Sequence, residues 1–211
     1  MADTGFKLPT SNGETFADFD NPTNAYTDDE DYATANTYDG DAHDYYNFSF
    51  NVPEDVEIEG IEVEIKGKPN ATSASQDLYI SLSHNGGTNY TSTKWDWIRN
   101  GDYTYTFGNS SEEWGRTWSD AEFSNANFRV KIATADDGYP GTNLFYMYYV
   151  KIKVYYAEAA PTPTYTSVNI GDDWKTISGA NVVKVNIGDD WKNVSAMKVN
   201  IGDAWKAVTI S

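Results

Sequence analysis

Asp39-Gly40-Asp41-Ala42-His43-Asp44 opens with the carboxylate spacing of a calcium loop. It fails as an EF-hand, because Asp44 stands where the turn glycine belongs and Phe50 where the bidentate glutamate belongs. A jelly-roll could still gather a calcium from Asp39, Asp41 and Asp44 with Asp28, Asp29 or Asp31. A solvated acidic loop explains the same letters more simply, so no cofactor and no obligatory metal is expected. His43 and His84, the only histidines, sit in turn-like contexts and are expected at the surface. No Gly-x-Ser-x-Gly elbow and no His-Glu-x-x-His helix accompanies them. With no cysteine there is no thiolate metal site and no cysteine nucleophile. Glu57, Glu59, Glu62 and Glu64 are numerous enough to make chance carboxylate pairs, but several lie on the outward phase of strands. No enzymatic activity is expected.

Trp95, Trp97, Trp114 and Trp118 are the remaining side chains with binding chemistry. They lie in or next to loops, where an indole can stack on a pyranose ring. The competing assignment, that they plug the ends of a β-sandwich, is the stronger one on sequence alone.

The elements that must position these residues are β-strands. The 211-residue chain carries 15% aromatics and a net charge of −17. Scarce leucine and abundant Thr, Tyr, Val and Ile argue for an all-β protein. A sequence pI near 4.2 argues against nucleic acid and anionic lipid as partners. The first residues lack a basic start followed by an apolar run, and no later stretch is long and apolar enough to span a membrane. Neither a membrane nor a secretory route is expected. Residues 1–156 hold 26 acids against 10 bases, and residues 157–211 hold 6 against 5. The body is anionic and the tail nearly neutral.

Tyr46, Phe48, Phe50 and Val52 alternate with polar residues, which predicts a half-buried strand. The apolar phase slips between Ile58 and Ile61, so Gly60 marks a turn or bulge before a strand Ile61–Lys66. Leu78, Ile80 and Leu82 predict a strand ended by Asn85-Gly86-Gly87. Tyr103, Tyr105 and Phe107 predict another, as do Phe128, Val130 and Ile132. Ser119-Asp120-Ala121-Glu122 is a capping box. The longest strand is Leu144 to Tyr156, apolar on both faces in its first half and therefore central or contacted from outside. The expected core is Phe48, Phe50, Ile61, Val63, Ile65, Leu78, Ile80, Leu82, Phe128, Val130, Ile132, Val150, Ile152 and Val154. The fold expected over 1–156 is a jelly-roll-like antiparallel β-sandwich, followed by a Pro/Thr/Ala linker over 157–167.

Residues 168–211 hold three short β-hairpin repeats. Val168 to Lys175 and Val185 to Lys192 share eight letters, and Val199 to Lys206 differs only at Ala204. Two registers are open. A two-residue turn sets Ile170 opposite Asp173, and a three-residue Gly-Asp-Asp loop sets it opposite Trp174. The second gathers Val168, Ile170 and Trp174 on one face and is favoured for that reason. So small a segment cannot easily bury three tryptophans alone. Trp174, Trp191, Trp205, Ile170, Ile187 and Ile201 are therefore the expected assembly interface, with a cyclic trimer as the first expectation.

Asp20-Asn21-Pro22-Thr23-Asn24-Ala25-Tyr26 with Tyr32-Ala33-Thr34-Ala35 resembles a β-sandwich module of structural proteins of tailed bacteriophages. So do Phe48-Ser49-Phe50-Asn51-Val52-Pro53, Ile58 to Val63, Trp114-Gly115-Arg116-Thr117-Trp118, Asn127-Phe128 and Val150 to Tyr156. The tail repeats are similar to Gly-x-x-Trp-Lys repeats at the ends of phage tail and minor virion proteins. The resemblance implies a non-enzymatic virion component of fibre, tail or head-decoration type, located in the virion. Its partners would be itself and other virion proteins. The alternative is a carbohydrate-binding adhesin module that recognises a host surface glycan.

Overall fold

The structure, a computed structural model, describes residues 1–16, 19–38, 40–70, 76–136 and 143–157, and six short strands beyond them. The chain divides into two units, Met1–Ala159 and Ala160–Ser211. The first contains β1 (Ala2–Asp3), β2 (Ser11–Phe16), β3 (Ala33–Asn36), β4 (Ala42–Tyr46) and β5 (Ile58–Pro69). It continues with β6 (Gln76–Ser83), β7 (Lys94–Trp97), β8 (Tyr103–Asn109), β9 (Arg129–Asp136) and β10 (Leu144–Tyr156). These strands form two antiparallel five-stranded sheets. The back sheet runs β1-β10-β5-β8, with β3 also pairing β10, and the front sheet runs β2-β4-β9-β6-β7. Leaving aside β1 and β2, the orders 3-10-5-8 and 4-9-6-7 are those of a jelly roll.

The core lies between the sheets, and thirteen of the fourteen expected core residues are buried. Phe50 is only partly buried, and the strand predicted to carry it and Phe48 is absent. Asn47 and Ser49 take left-handed φ values of 64° and 52°, which no strand accommodates. Phe48, Phe50 and Val52 still turn toward the core, but Tyr46, expected in phase with them, faces outward while Tyr45 is buried. Phe48 stacks on Phe50 at 5.4 Å, and both meet Phe128 edge-on.

Two bulges reconcile the apolar phases. The slip at Gly60 is no turn: β5 runs through it, with the register against β10 shifting between Tyr155 and Tyr156. A Cβ on Gly60 would stand 2.3 Å from the Asn109 carbonyl oxygen, so only glycine lets the chains approach there. In β10 a second shift falls between Met147 and Tyr149. It moves the inward phase from Phe145 and Met147 to Val150, Ile152 and Val154, all fully buried. The strand is central, paired by β5 on one side and by β3 and β1 on the other.

The second unit holds three separate hairpins. They are β11 (Thr166–Ile170) with β12 (Asp173–Ile177), β13 (Lys184–Ile187) with β14 (Asp190–Asn193), and β15 (Met197–Ile201) with β16 (Ala204–Val208). All three share one register, and it is not the favoured one. Ile170 pairs Asp173 and Asn169 pairs Trp174, with Asn186–Trp191 and Asn200–Trp205 equivalent. In a hairpin the connection dictates register, and a two-residue loop led by Gly matches the twist of the strands. The tryptophans therefore fall in phase with asparagine rather than with Val168 and Ile170. The side chains of Trp174, Trp191, Trp205, Ile170, Ile187 and Ile201 lie outside the described residues.

Candidate functional site

The four tryptophans of the sandwich divide into two pairs with opposite fates. Trp114 and Trp118 are 3% and 7% exposed, which removes them from any binding platform. The Trp114 indole donates to the Ile61 carbonyl at 2.9 Å and the Trp118 indole to the Glu113 carbonyl at 2.7 Å. Trp118 packs on Phe123 and Phe128, so this pair closes one end of the core. Lys94 ion-pairs with Glu112 at 3.1 Å and lies over the Trp114 ring. That ammonium holds the Glu112 carboxyl below its ordinary range. The shallow recess of about 280 Å³ beside them is lined by Ser92, Thr93, Lys94, Glu112, Trp114 and Gly115.

Trp95 and Trp97 are 54% and 49% exposed. Two residues apart on the edge strand β7, they stand on the same face. Their rings meet edge to face, 5.4 Å between centroids and 82° between planes. Register places their neighbours. Tyr79 lies opposite Trp95 and Asp77 opposite Trp97 on β6, and beyond these come Ala133 and Ala135 on β9. Since Leu78, Ile80 and Leu82 face the core, this row faces outward. The Tyr79 hydroxyl donates to one Asp77 oxygen at 2.8 Å, while Asp77 Oδ1 is buried and has no hydrogen-bond partner among the described residues.

One step along the same face, small residues give way to charge. Ser81, Lys131 and Asp44 share a row, followed by Ser83, Arg129 and Tyr46. Tyr90, bridged to Ser83, donates its hydroxyl to Asp44 at 2.5 Å. Burial, and then the Asp44 carboxylate, push this phenol well above its ordinary range. The Lys131 ammonium sits 4.0 Å over the Tyr90 ring, and the Arg129 guanidinium 4.3 Å over Tyr46. The front sheet thus carries an exposed aromatic cluster, a floor of small residues, and a polar end with two cations, where Ser81, Ser83 and Asp44 are themselves buried.

The remaining candidates lie away from this face or are built into the strands. Asp39 lies outside the described residues. Asp41 is buried, accepting the Asn36 backbone N–H at 2.6 Å, and Asp44 belongs to β4 rather than to a loop. Among the described residues no three carboxylates or histidines converge. His43 is no surface residue: at 1% exposure it stacks on Phe19 and bonds Asn12 at 2.9 Å. Its position on β4, opposite Ile132, gives it the inward phase. His84 lies 3.5 Å from Glu122. On the back sheet, Glu64 accepts the Tyr149 hydroxyl and pairs with Lys151, and Glu62 meets Tyr155 and Lys153 likewise. Burial and then Glu64 raise the Tyr149 phenol. Burial works against the Lys151 ammonium, yet Glu64 raises it too. These ladders engage Glu62 and Glu64, two of the four glutamates singled out in the sequence.

Tyr79, Tyr90, Arg129 and Lys131 carry the site without having been singled out as site residues in the sequence. Alternation puts Tyr79 and Lys131 outward, but only the cross-strand register sets them beside the tryptophans.

No family model matches the chain, and no curated protein matches it. Solved structures with a similar strand arrangement include several carbohydrate-binding modules and the glycoside hydrolase domain of Endo-D from Streptococcus pneumoniae R6, of which this chain covers 31%. One of the modules is the CBM36-1 domain of a multidomain xylanase from the hindgut metagenome of Trinervitermes trinervoides. It shows 11% identity over 75% of this chain and 100% of that one, with a TM-score of 0.37. Another is TmCBM61 in complex with β-1,4-galactotriose, at 7% identity over 71% and 88%, TM-score 0.35. A third is a family 29 carbohydrate-binding module from Piromyces equi, at 16% identity over 71% and 85%, TM-score 0.35. Likeness at this level is no guide to ligand or activity.

Proposed function

We propose that the sandwich is a non-catalytic glycan-binding module whose platform is the outer face of the front sheet. The observation that carries this reading is the exposure of Trp95 and Trp97 side by side. Leaving two indoles half in water forgoes roughly 1–2 kcal/mol each of burial, at half the full value for a large apolar side chain. A ligand with an apolar face and a hydroxylated rim recovers it, and a sugar ring is such a ligand. Asp77 and Tyr79 lie opposite the pair in register and support it from the neighbouring strand. A glycan array probed with the full chain tests it: selective binding is expected, and its loss in Trp95→Ala and Trp97→Ala.

A second reading concerns where such a module would be displayed. Three hairpins of identical register follow the sandwich, and repeats of this size gain stability by packing on copies or partners. Together with the resemblance to phage structural proteins, this supports display on a virion, with the repeats as the docking segment. Electron microscopy of the purified protein tests it, a defined oligomer or ring being expected.

A further inference from the structure

Among the ten lysines and arginines of residues 1–156, eight have a carboxylate within 4 Å: Lys66, Lys68, Lys94, Arg99, Arg116, Arg129, Lys151 and Lys153. With 26 acids in the same stretch, pairing is the expected state. Lys7 and Lys131 have no such partner among the described residues. Lys7 belongs to the back sheet, where it bridges Ile152. Lys131 stands in the middle strand of the front sheet, on the face that carries the tryptophans.

Its nearest acid in register is Asp44, which should have neutralised it. Asp44 is engaged otherwise, by the Tyr90 hydroxyl at 2.5 Å and by Arg129 at 3.9 Å. The Lys131 ammonium rests instead on the Tyr90 ring, a contact that leaves its three N–H donors without a carboxylate. Next to it, Arg129 Nε is buried without a hydrogen-bond partner among the described residues. From Trp95 to Lys131 the sheet spans two strands and one step, roughly 10 Å across and about 7 Å along. An oligosaccharide covers that distance.

We infer that Lys131 is the anchor for a carboxylate, and that the module selects acidic sugars such as uronic or sialic acids. This rests on the glycan-binding reading and adds to it the substrate class. One sugar stacks on the Trp95–Trp97 pair and the chain crosses the small-residue floor. A carboxylate then meets Lys131, with the Arg129 side chain beside it. The net charge of −17 does not forbid this, because at physiological ionic strength charges beyond about 8 Å are screened and the local cations decide.

The test is a titration of the full chain with matched pairs: trigalacturonic acid against the neutral galactose trimer, and sialyllactose against lactose. The carboxylated member of at least one pair should bind about tenfold tighter, the size of one charged hydrogen-bonded contact. That advantage should shrink as salt rises. Lys131→Gln should erase the preference, Lys131→Arg should retain most of it, and Lys7→Gln should leave it intact. Unchanged melting temperatures show that the variants fold. Equal or tighter binding of the neutral sugars overturns the acidic assignment while the glycan reading stands. A preference that survives Lys131→Gln overturns the role of this lysine. Failure of every sugar on a broad array overturns both readings together.

Discussion

At the scale of single side chains, tryptophan does two different jobs in this fold. Trp114 and Trp118 donate their indole N–H groups to backbone carbonyls and close the core. Trp95 and Trp97 stay half in water on an edge strand. Trp118→Ala should therefore cost roughly 3–5 kcal/mol of stability. Trp97→Ala should stay within about 0.5 kcal/mol of the parent. Denaturant unfolding followed by circular dichroism separates the two. The sequence alone could not divide the four indoles, because burial of a large side chain depends on what long-range pairing brings against it. Trp114 is covered by the chain around Ile61, 53 residues away. His43 escaped for the same reason, since a turn-like neighbourhood says nothing of Phe19 stacking on it.

At the scale of elements, local chemistry was legible where it was strong. Leu144–Tyr156 is a strand with the predicted bounds, and the box at Ser119–Glu122 caps a 3-10 turn at Asp120–Phe123. What alternation could not convey was backbone interruption, as at Asn47 and Ser49, or the hairpin register, where the connection outranked the apolar pattern. Glu122 yields a pH prediction. Burial would raise its carboxyl, but Arg116 at 2.7 Å and the Ser119 N–H at 2.8 Å outweigh that and lower it. A carboxyl lowered in the folded state stabilises above the unfolded value of about 4.3, and that contribution is lost as pH falls through the folded value. Glu122→Gln should destabilise the protein at pH 7, and the difference should shrink as pH falls below about 4. Thermal melts of both proteins across that range check it. Gly60→Ala should cost roughly 1–3 kcal/mol, because its Cβ meets the Asn109 carbonyl at 2.3 Å. A parent-like melting temperature would show that β8 can give way.

At the scale of the whole molecule, two units divide the work proposed for the chain. The sandwich has its own core and two five-stranded sheets. Truncation after Ala157 should leave it folded and monomeric, with its melting temperature unchanged. Light scattering of the full chain should show an oligomer that Trp191→Ala weakens, and a monomer at tens of micromolar would end the self-assembly proposal. Domain order was visible in the sequence as a change of charge and an onset of repeats. The site was visible only in part, since its two exposed tryptophans could be named while Tyr79, Arg129 and Lys131 needed the register. The central claim is that the outer face of the front sheet binds sugar through Trp95 and Trp97. Its most direct test is calorimetric titration of a sugar selected from an array into the parent, Trp95→Ala, Trp97→Ala and the double variant. Loss of at least tenfold affinity in each single variant, and of measurable binding in the double, is the predicted result at unchanged melting temperature. Undiminished binding by the folded double variant would contradict it.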